Sequence, residues 1–315
     1  MLWQLIFLRG KIMNGRSNHP AATVSPDENQ RAGRQFQNFA LYTLANDAVE
    51  LVVVPELGAK IISLKNLRTG REWLWHPAGG LKLFMNQTGD DFFNSPLVGI
   101  DECLPTIAPC SWLGRELPDH GEVWSAPWQV DAGAFASGTL KTSIRLKVSP
   151  FKFIRTIELR GNEVYLKYEL HNRSSRVEYF IWAIHPLLRL EAGDQLELPD
   201  STHALLHGVA WIDAVDSVIP ETNCVKTFAR PICQGWSAIR NEVKGDRLEF
   251  EWDPVENNTL GLWLTRGGWH GHHHFAIEPT NADDDVLALA AQRNRCGIVA
   301  AGDFVTWQIC LRVGF

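Results

Sequence analysis

Two titratable residues each follow an apolar run of the chain, and both are candidates for acid–base chemistry. His185 ends the run Tyr-Phe-Ile-Trp-Ala-Ile, Glu278 ends the run Phe-Ala-Ile, and a proline follows each of them. A titratable group at the tip of a buried strand is held by a rigid scaffold and partly desolvated, and both conditions favour a shifted pKa. Simpler interpretations exist, because a single histidine is more often structural and Glu278 could be a solvated strand end.

A third concentration of polar residues lies in segment 99–128, about 30 residues that we interpret as a loop, and ordered loops of this length are usually functional. Its candidate residues are Asp101, Glu102, Asp119, His120, Glu122 and Trp124. Two alternatives stay open here. The Asp-His-Gly sequence at 119–121 could be turn chemistry alone, and most tryptophans pack in a core.

The histidine-rich sequence Trp-His-Gly-His-His-His at 269–274 resembles a metal-binding tract. In a strand, however, His272 and His274 would share one face while His273 points to the other. A tetrahedral site would also need a fourth ligand and supporting contacts. We therefore expect neither a metal ion nor a cofactor.

β-Strands are the elements that must position these residues, because from about residue 40 onward the hydrophobic pattern has a period of two. The clearest case is segment 163–171, in which Val164, Leu166, Tyr168 and Leu170 share one face. The other predicted strands are 50–54, 60–64, 140–148, 151–159, 179–184, 247–252, 259–264, 275–278 and 304–313.

One short helix is predicted, capped by Asp284 and Asp285 and ending near Ala291. No repeat or obvious linker divides the chain. We predict an all-β fold, a large antiparallel β-sandwich with few short helices. It forms one domain at 36–315, after a flexible N-terminal extension at 1–35. In such a fold, a concave sheet face is a natural groove for a polar ligand.

The composition excludes several classes of protein. The 30 Lys and Arg residues against 36 Asp and Glu give a net charge of −6, which argues against a surface for nucleic acid or an anionic membrane. The apolar N-terminal stretch is far shorter than the ~20 residues that span a bilayer. The six cysteines have no zinc-ligand spacing, and we expect free, buried thiols in a cytoplasmic protein. The 13 tryptophans favour an enzyme or binding domain, because Trp stacks on flat apolar faces such as those of sugars.

At these same segments the chain resembles the aldose 1-epimerase (galactose mutarotase-like) superfamily. The matching stretches run in order over about residues 40–313, and they are 55–61, 70–74, 101–107, 119–122, 184–186 and 276–279. No single motif is specific to the superfamily. The ordered set of a His-Gly motif, a strand-end His and a late strand-end Glu is more specific than any one of them. The resemblance implies a β-supersandwich, in agreement with the period-two pattern.

The resemblance also implies an activity, the interconversion of the α and β anomers of a sugar. It makes His185 the general acid and Glu278 the general base, and it gives His120 a hydrogen bond to the sugar. A raised pKa of Glu278 and a near-neutral His185 would suit catalysis near pH 7. The remaining binding candidates are Asp101, Glu102 and Asp119 as hydroxyl acceptors and Trp124 as a stacking surface.

The chain departs from the superfamily pattern in two places. Residues 183–188 read Ala-Ile-His-Pro-Leu-Leu where many members have Asn-His-x-Tyr-Phe. Residues 86–100 contain no match to the Gly-Arg-x-x-Asn-Arg stretch, which supplies a sugar-binding arginine. The acid–base pair is kept while the recognition residues differ, so we expect a divergent, unidentified sugar.

Three other functions fit the same residues. A sugar-phosphate epimerase would hold its phosphate with Arg155 or Arg189. A non-catalytic carbohydrate-binding protein would keep the fold and the groove without turnover. A hydrolase or lyase would pair Glu278 with Glu102 or Asp101, at the ~5–10 Å separation that hydrolysis requires. In every case the partner is a monosaccharide or sugar derivative, and we expect a monomer or a homodimer.

Overall fold

The computed structural model of the protein describes residues 30–206 and 223–314, and antiparallel strands, numbered in chain order, dominate both ranges. The larger sheet, which we call the site sheet, has nine strands. From edge to edge they are β1 (Gln30–Phe36), β2 (Phe39–Ala45), β3 (Val49–Val54), β4 (Lys60–Asn66), β5 (Ile100–Cys103), β13 (Ala183–Pro186), β19 (His273–Thr280), β18 (Thr259–Arg266) and β15 (Asn223–Ala229).

The second sheet has eight strands. In spatial order they are β14 (Gln195–Glu197), β16 (Trp236–Asn241), β17 (Asp246–Trp252), β21 (Phe304–Val313), β11 (Glu163–Asn172), β10 (Phe151–Arg160), β9 (Leu140–Arg145) and β8 (Gln129–Val130). Two ribbons pair β6 (Cys110–Trp112) with β7 (Arg115–Leu117) and β12 (Glu178–Phe180) with β20 (Gly297–Val299). The described α-helices are α1 (Ala132–Ala136), α2 (Asp200–Leu205) and α3 (Leu287–Gln292). In this part of the chain, no helix has the length and apolar character needed to cross a membrane.

The hydrophobic core lies between the two sheets. On β11 of the second sheet, Val164, Leu166, Tyr168 and Leu170 are buried, while the residues that alternate with them are half-exposed. Ile184 and Ile277 of the site sheet belong to the same buried cluster. Because side chains alternate between the faces of a strand, the period-two pattern buries one face of each sheet. The predicted all-β sandwich is confirmed.

Most predicted strands are confirmed to within a few residues, and β21 begins and ends where predicted. Two predictions are wrong in detail. Segment 179–184 is not one strand, since β12 ends at Phe180 and β13 begins at Ala183 in a different sheet. An apolar run does not show where the chain leaves a sheet. Segment 99–128 is not one loop, because it contains β5, whose four residues are buried on both faces, and the hairpin β6–β7.

Regular structure also begins earlier than predicted. Strand β1 starts at Gln30, so residues 30–35 of the predicted extension pair with β2. A polar sequence can do this because β1 is an edge strand, which needs backbone hydrogen bonds on one side only. Residues 1–29 of the predicted extension lie outside the described residues.

Candidate functional site

Strand pairing places the candidate catalytic residues in one row on the outer face of the site sheet. Ala183 lies opposite Thr280 in the register of β13 and β19, so His185 and Glu278, two residues further along each strand, also lie opposite each other. Residues opposite one another in antiparallel strands point to the same face. Over six strands, the row is Lys60, Asp101, His185, Glu278, Gly261 and Phe228.

His185 and Glu278 form a hydrogen-bonded pair, with Nδ1 2.5 Å from Oε1. The His185 side chain is 13% exposed and that of Glu278 is 3% exposed. Gly261 makes room for the carboxylate, because a Cβ added there would lie 3.1 Å from Oε2 of Glu278. The structure therefore brings the two predicted residues into direct contact, in a geometry that permits proton exchange.

A cavity of about 220 Å³ opens beside this pair, and we call it the first cavity. Its wall consists of aromatic, acidic and basic residues with two small apolar ones: Phe92, Trp263, Trp269, His120, His185, Asp119, Glu278, Asp285, Lys226, Ile107 and Ala108. Sites for drug-sized ligands measure about 300–1,000 Å³, so this cavity suits a smaller ligand such as one sugar ring. A larger cavity of about 840 Å³ lies against the second sheet, but its charged residues, such as Glu251 and Arg312, pair with each other.

Lys226 on β15, which the sequence analysis missed, faces the same carboxylate. Its Nζ lies 2.7 Å from Oδ1 of Asp285 and 3.8 Å from Oε2 of Glu278. Burial raises the pKa of Glu278, but Lys226 and His185 together outweigh burial and lower that pKa to about 2. The predicted raised pKa of Glu278 is therefore wrong, because the buried carboxylate lies beside an ammonium group that the sequence did not reveal.

Replacing Lys226 by Met is expected to raise the pKa of Glu278. The substitution removes the strongest influence that lowers this pKa and leaves the burial that raises it. Lys226→Arg is the matched control, because it keeps the charge and should keep the pKa low. A carboxyl-carbon NMR titration of Glu278 in the three proteins measures the effect, and the same pKa in Lys226→Met as in the wild type would contradict it.

The same shift sets the pH dependence of stability. The pKa of Glu278 is lowered from 4.5 to about 2 on folding, so the ionised carboxylate stabilises the fold above pH 4.5. That contribution is lost as the pH falls towards 2. The difference in unfolding free energy between the wild type and Lys226→Met should therefore shrink over this interval.

His120 lies on the wall of the first cavity, and its backbone explains the His-Gly sequence. The imidazole Nδ1 is 3.0 Å from Oδ1 of Asp119, and the ring stacks on Phe92 with centroids 4.0 Å apart. His120 has a φ of 54° and Gly121 a φ of 76°, and a Cβ on Gly121 would collide with the carbonyl of Leu104. The segment is a turn, as the alternative interpretation held, and this turn directs His120 to the cavity.

Asp119 and Trp124 support the aromatic wall. Oδ2 of Asp119 accepts a hydrogen bond from the backbone N–H of Phe92 at 2.9 Å, and Trp124 Nε1 donates to the carbonyl of Asp119 at 2.9 Å. Burial raises the pKa of Asp119, but hydrogen bonds with His120 and Phe92 outweigh burial and lower it. Trp124 packs edge-on against Phe92 behind the cavity wall, so it positions Phe92 and does not offer the predicted stacking surface.

Asp101 lies beside His185 in the row, but its carboxylate is already paired with another side chain. It forms an ion pair with Lys60, whose Nζ also donates to the carbonyl of Val98 at 3.2 Å. Both side chains of the ion pair are 1% exposed, and neither lines the first cavity. The predicted role of Asp101 as a hydroxyl acceptor is therefore not supported, because the cavity opens on the Glu278 side of His185.

Glu102 and Arg155 lie in the core between the sheets. Oε1 of Glu102 accepts a hydrogen bond from Nη1 of Arg155 at 2.9 Å, and both side chains are 0% exposed. Successive residues of a strand point to opposite faces, so Glu102 cannot share the outer face with Asp101. The predictions that Glu102 binds a sugar, that Arg155 binds a phosphate, and that Glu102 pairs with Glu278 for hydrolysis are wrong.

Several residues of the cavity wall were not predicted as site residues: Phe92, Lys226, Trp263, Trp269 and Asp285. Trp263 carried a signal, because alternation in the predicted strand 259–264 puts this large ring on the face opposite Leu260 and Leu262. The sequence gives no such signal for Lys226, because its position in the site follows only from the pairing of β15 with β18. Arg189, the second phosphate candidate, lies outside the cavity wall and faces Glu191 at 3.6 Å.

The structure also places the histidine tract. His270 and His272 stack with ring centroids 5.4 Å apart, and His274 is buried beneath Trp269. Within residues 30–206 and 223–314, no three His, Cys, Asp or Glu side chains are grouped to hold a metal ion. All six cysteines are free thiols, as predicted, but only Cys103 and Cys310 are buried.

Comparison with known proteins assigns the architecture. The sequence matches no protein-family model and no curated protein, whereas solved structures share its fold over most of the chain. The Slr1438 protein from Synechocystis sp. PCC 6803 is 17% identical, with coverage of 90% of this chain and 97% of that chain and a TM-score of 0.66. A galactose mutarotase-like protein from Clostridium acetobutylicum is 13% identical, with 90% and 98% coverage and a TM-score of 0.69.

A candidate aldose 1-epimerase from Klebsiella pneumoniae is also 13% identical, with 90% and 82% coverage and a TM-score of 0.70. The chain therefore has the galactose mutarotase-like β-sandwich fold. The resemblance inferred from the sequence is confirmed at the level of the fold, and the low identities mark a divergent chain.

Proposed function

We propose that the protein is an aldose 1-epimerase-like isomerase that interconverts the α and β anomers of a neutral sugar. The main support is the hydrogen-bonded pair of His185 and Glu278 on the wall of a cavity that suits one sugar ring. One imidazole acid and one carboxylate base are sufficient for this reaction. Trp263 and Trp269, whose ring centroids are 6.0 Å apart, offer aromatic surface to the apolar face of the sugar.

In the proposed mechanism the pair acts on the two oxygens bound to C1. Protonated His185 donates Nδ1–H to Oε1 of Glu278. Its Nε2 has no hydrogen-bond partner among the described residues, so the proton on Nε2 can be transferred to the ring oxygen of the sugar. Glu278, ionised because its pKa is about 2, accepts the proton of the C1 hydroxyl. The bond from C1 to the ring oxygen breaks, the C1–C2 bond rotates, and the reverse transfers close the ring on the other face.

Lys226 and His120 would assist this transfer. Because Nζ of Lys226 is 3.8 Å from Oε2 of Glu278, a hydroxyl bound to that oxygen would also lie near the ammonium group. The positive charge would then stabilise the C1 oxygen as it loses its proton. The His120 ring, 5.6 Å from that of His185, would bind a sugar hydroxyl.

The charges of the first cavity favour a neutral sugar over a sugar phosphate. Asp119, Glu278 and Asp285 bring carboxylates to the wall, and Lys226 is already paired with Asp285. A phosphate would meet these carboxylates, and the described residues of the wall offer it no free cation. Like charges placed together are costly. The six free thiols fit the reducing, cytoplasmic location that we propose for the protein.

Exchange NMR of freshly dissolved α-anomers tests the proposal with the wild type and a His185→Asn variant. The sugars are glucose, galactose, a pentose, a 6-deoxy sugar and glucose 6-phosphate. Asn keeps a hydrogen-bond donor for Glu278 near the position of Nδ1 but places nothing at Nε2. We expect the wild type to accelerate exchange of at least one neutral sugar, and His185→Asn to lower that acceleration by about 10²- to 10⁴-fold.

His171→Asn is the matched control, because His171 also forms a His–Glu pair, with Glu169 on the second sheet. This variant should exchange anomers as fast as the wild type. Sugar binding without any acceleration in the wild type would contradict the proposal and favour a carbohydrate-binding protein.

A further inference from the structure

A second cavity of about 460 Å³ has no role in the reaction proposed for the first. Aromatic rings form much of its wall, namely those of Trp75, Phe84, Phe93, His270 and His272. Lys82 is the one Lys, Arg, Asp or Glu among the described residues that line it. In contrast to the first cavity, the described residues of this wall include no carboxylate.

The two cavities are separated by a shared wall of aromatic residues. Phe92 and Trp269 line the first cavity, and the residues that follow them in the chain, Phe93 and His270, line the second. Ring contacts hold this wall together, with the centroid of Phe93 6.1 Å from that of Trp269 and 3.5 Å from that of His270. A ligand that extends from the first cavity past Trp269 would therefore meet the rings of the second.

Two of these rings are unusually open to solvent. Phe84 and Phe93 are 45% and 47% exposed, and in the described part of the chain the other strongly exposed phenylalanine is Phe304, on the second sheet. Large exposed apolar groups that gather in a concave surface indicate a binding site. Phe93 also lies in the stretch 86–100, where the sequence departs from the superfamily pattern.

We propose that the second cavity is a saccharide subsite, and that the ligand is a neutral reducing disaccharide or longer oligosaccharide. The reducing-end sugar occupies the first cavity against His185 and Glu278, and the next ring stacks on Phe84 and Phe93. The placement of the reducing end rests on the proposed function, whereas the stacking of the second ring does not.

Calorimetric titration with defined sugars tests the subsite. The probes are maltose, cellobiose and lactose, each compared with glucose and galactose, and the proteins are the wild type, Phe84→Ala and Phe93→Ala. We expect at least one disaccharide to bind the wild type more tightly than either monosaccharide. Each substitution should weaken binding of that disaccharide about 2- to 10-fold. Phe84→Ala, which leaves the ring contacts of the shared wall intact, should also leave monosaccharide binding unchanged.

Phe304→Ala, a similarly exposed phenylalanine of the second sheet, should leave all affinities unchanged. The subsite proposal is overturned if the disaccharides bind no more tightly than the monosaccharides. It is also overturned if Phe84→Ala lowers the affinity for both kinds of sugar by the same factor. Anomer exchange recorded on the same samples separates the two proposals. Disaccharide binding that depends on Phe84, without exchange, would retain the subsite and reject the isomerase.

Discussion

The Glu278→Gln protein is expected to bind sugar but to lose about 10²- to 10⁴-fold of the anomer-exchange rate. The amide has the size of the carboxylate, and its oxygen can still accept a hydrogen bond from His185. It cannot take the proton of the C1 hydroxyl, so the variant loses the base and keeps the shape of the first cavity. Polarimetry measures the rate, and calorimetry of the same sample measures sugar binding.

Glu169→Gln is the control for this substitution, because Glu169 is the partner of His171 in the His–Glu pair of the second sheet. It should exchange anomers like the wild type, and thermal unfolding should show that both variants are folded. A Glu278→Gln protein with the wild-type rate would exclude Glu278 as the base.

The low pKa of Glu278 also predicts the acidic side of the pH profile of the exchange rate, which the same polarimetric assay measures. With a pKa of about 2, the carboxylate is ionised at any pH more than about two units above that value. The rate should therefore not fall on the acidic side through protonation of the base.

The fold could be predicted from the sequence because alternation is a local property of each strand. The pattern of β11 shows which residues face the core, and that of β21 gives both its ends, without knowledge of the neighbouring strands. The signal for His185 and Glu278 is local as well, since each directly follows an apolar run in the sequence, although the run before His185 spans two strands. The order of the strands within a sheet, in contrast, is not a local property of the sequence. Lys226 reaches Glu278 only because β15 pairs with β18.

The positions of Glu102 and Arg155 could not be predicted, because they depend on contacts between distant strands. The sequence alone predicts a loop over 99–128, and in a loop Asp101 and Glu102 could both face a ligand. In the strand β5 they must point to opposite faces. A buried carboxylate in the core is also rare unless it is paired, and its partner Arg155 comes from β10 in the other sheet. No pattern within either strand indicates that pairing.

Replacing Arg155 by Met is expected to lower the free energy of unfolding by about 3–5 kcal/mol at neutral pH, because it leaves a buried carboxylate without its cation. Glu102 would keep hydrogen bonds from Tyr168 and Trp182, at 2.9 and 2.8 Å, but no compensating charge. Arg160→Met is the matched control on the same strand. Arg160 is exposed and pairs with Glu158, so its loss should cost less than about 1 kcal/mol.

The pH dependence of this loss has a definite sign. Burial raises the pKa of Glu102, and Arg155 opposes this rise without cancelling it, so without Arg155 the pKa rises further. A carboxylate whose pKa is raised by folding destabilises the fold increasingly as the pH rises. Urea unfolding should therefore show a larger deficit for Arg155→Met at about pH 8 than at about pH 5, and Glu102→Gln in the same chain should recover most of it. An Arg155→Met protein with wild-type stability but weakened binding of a sugar phosphate would instead return Arg155 to the ligand site.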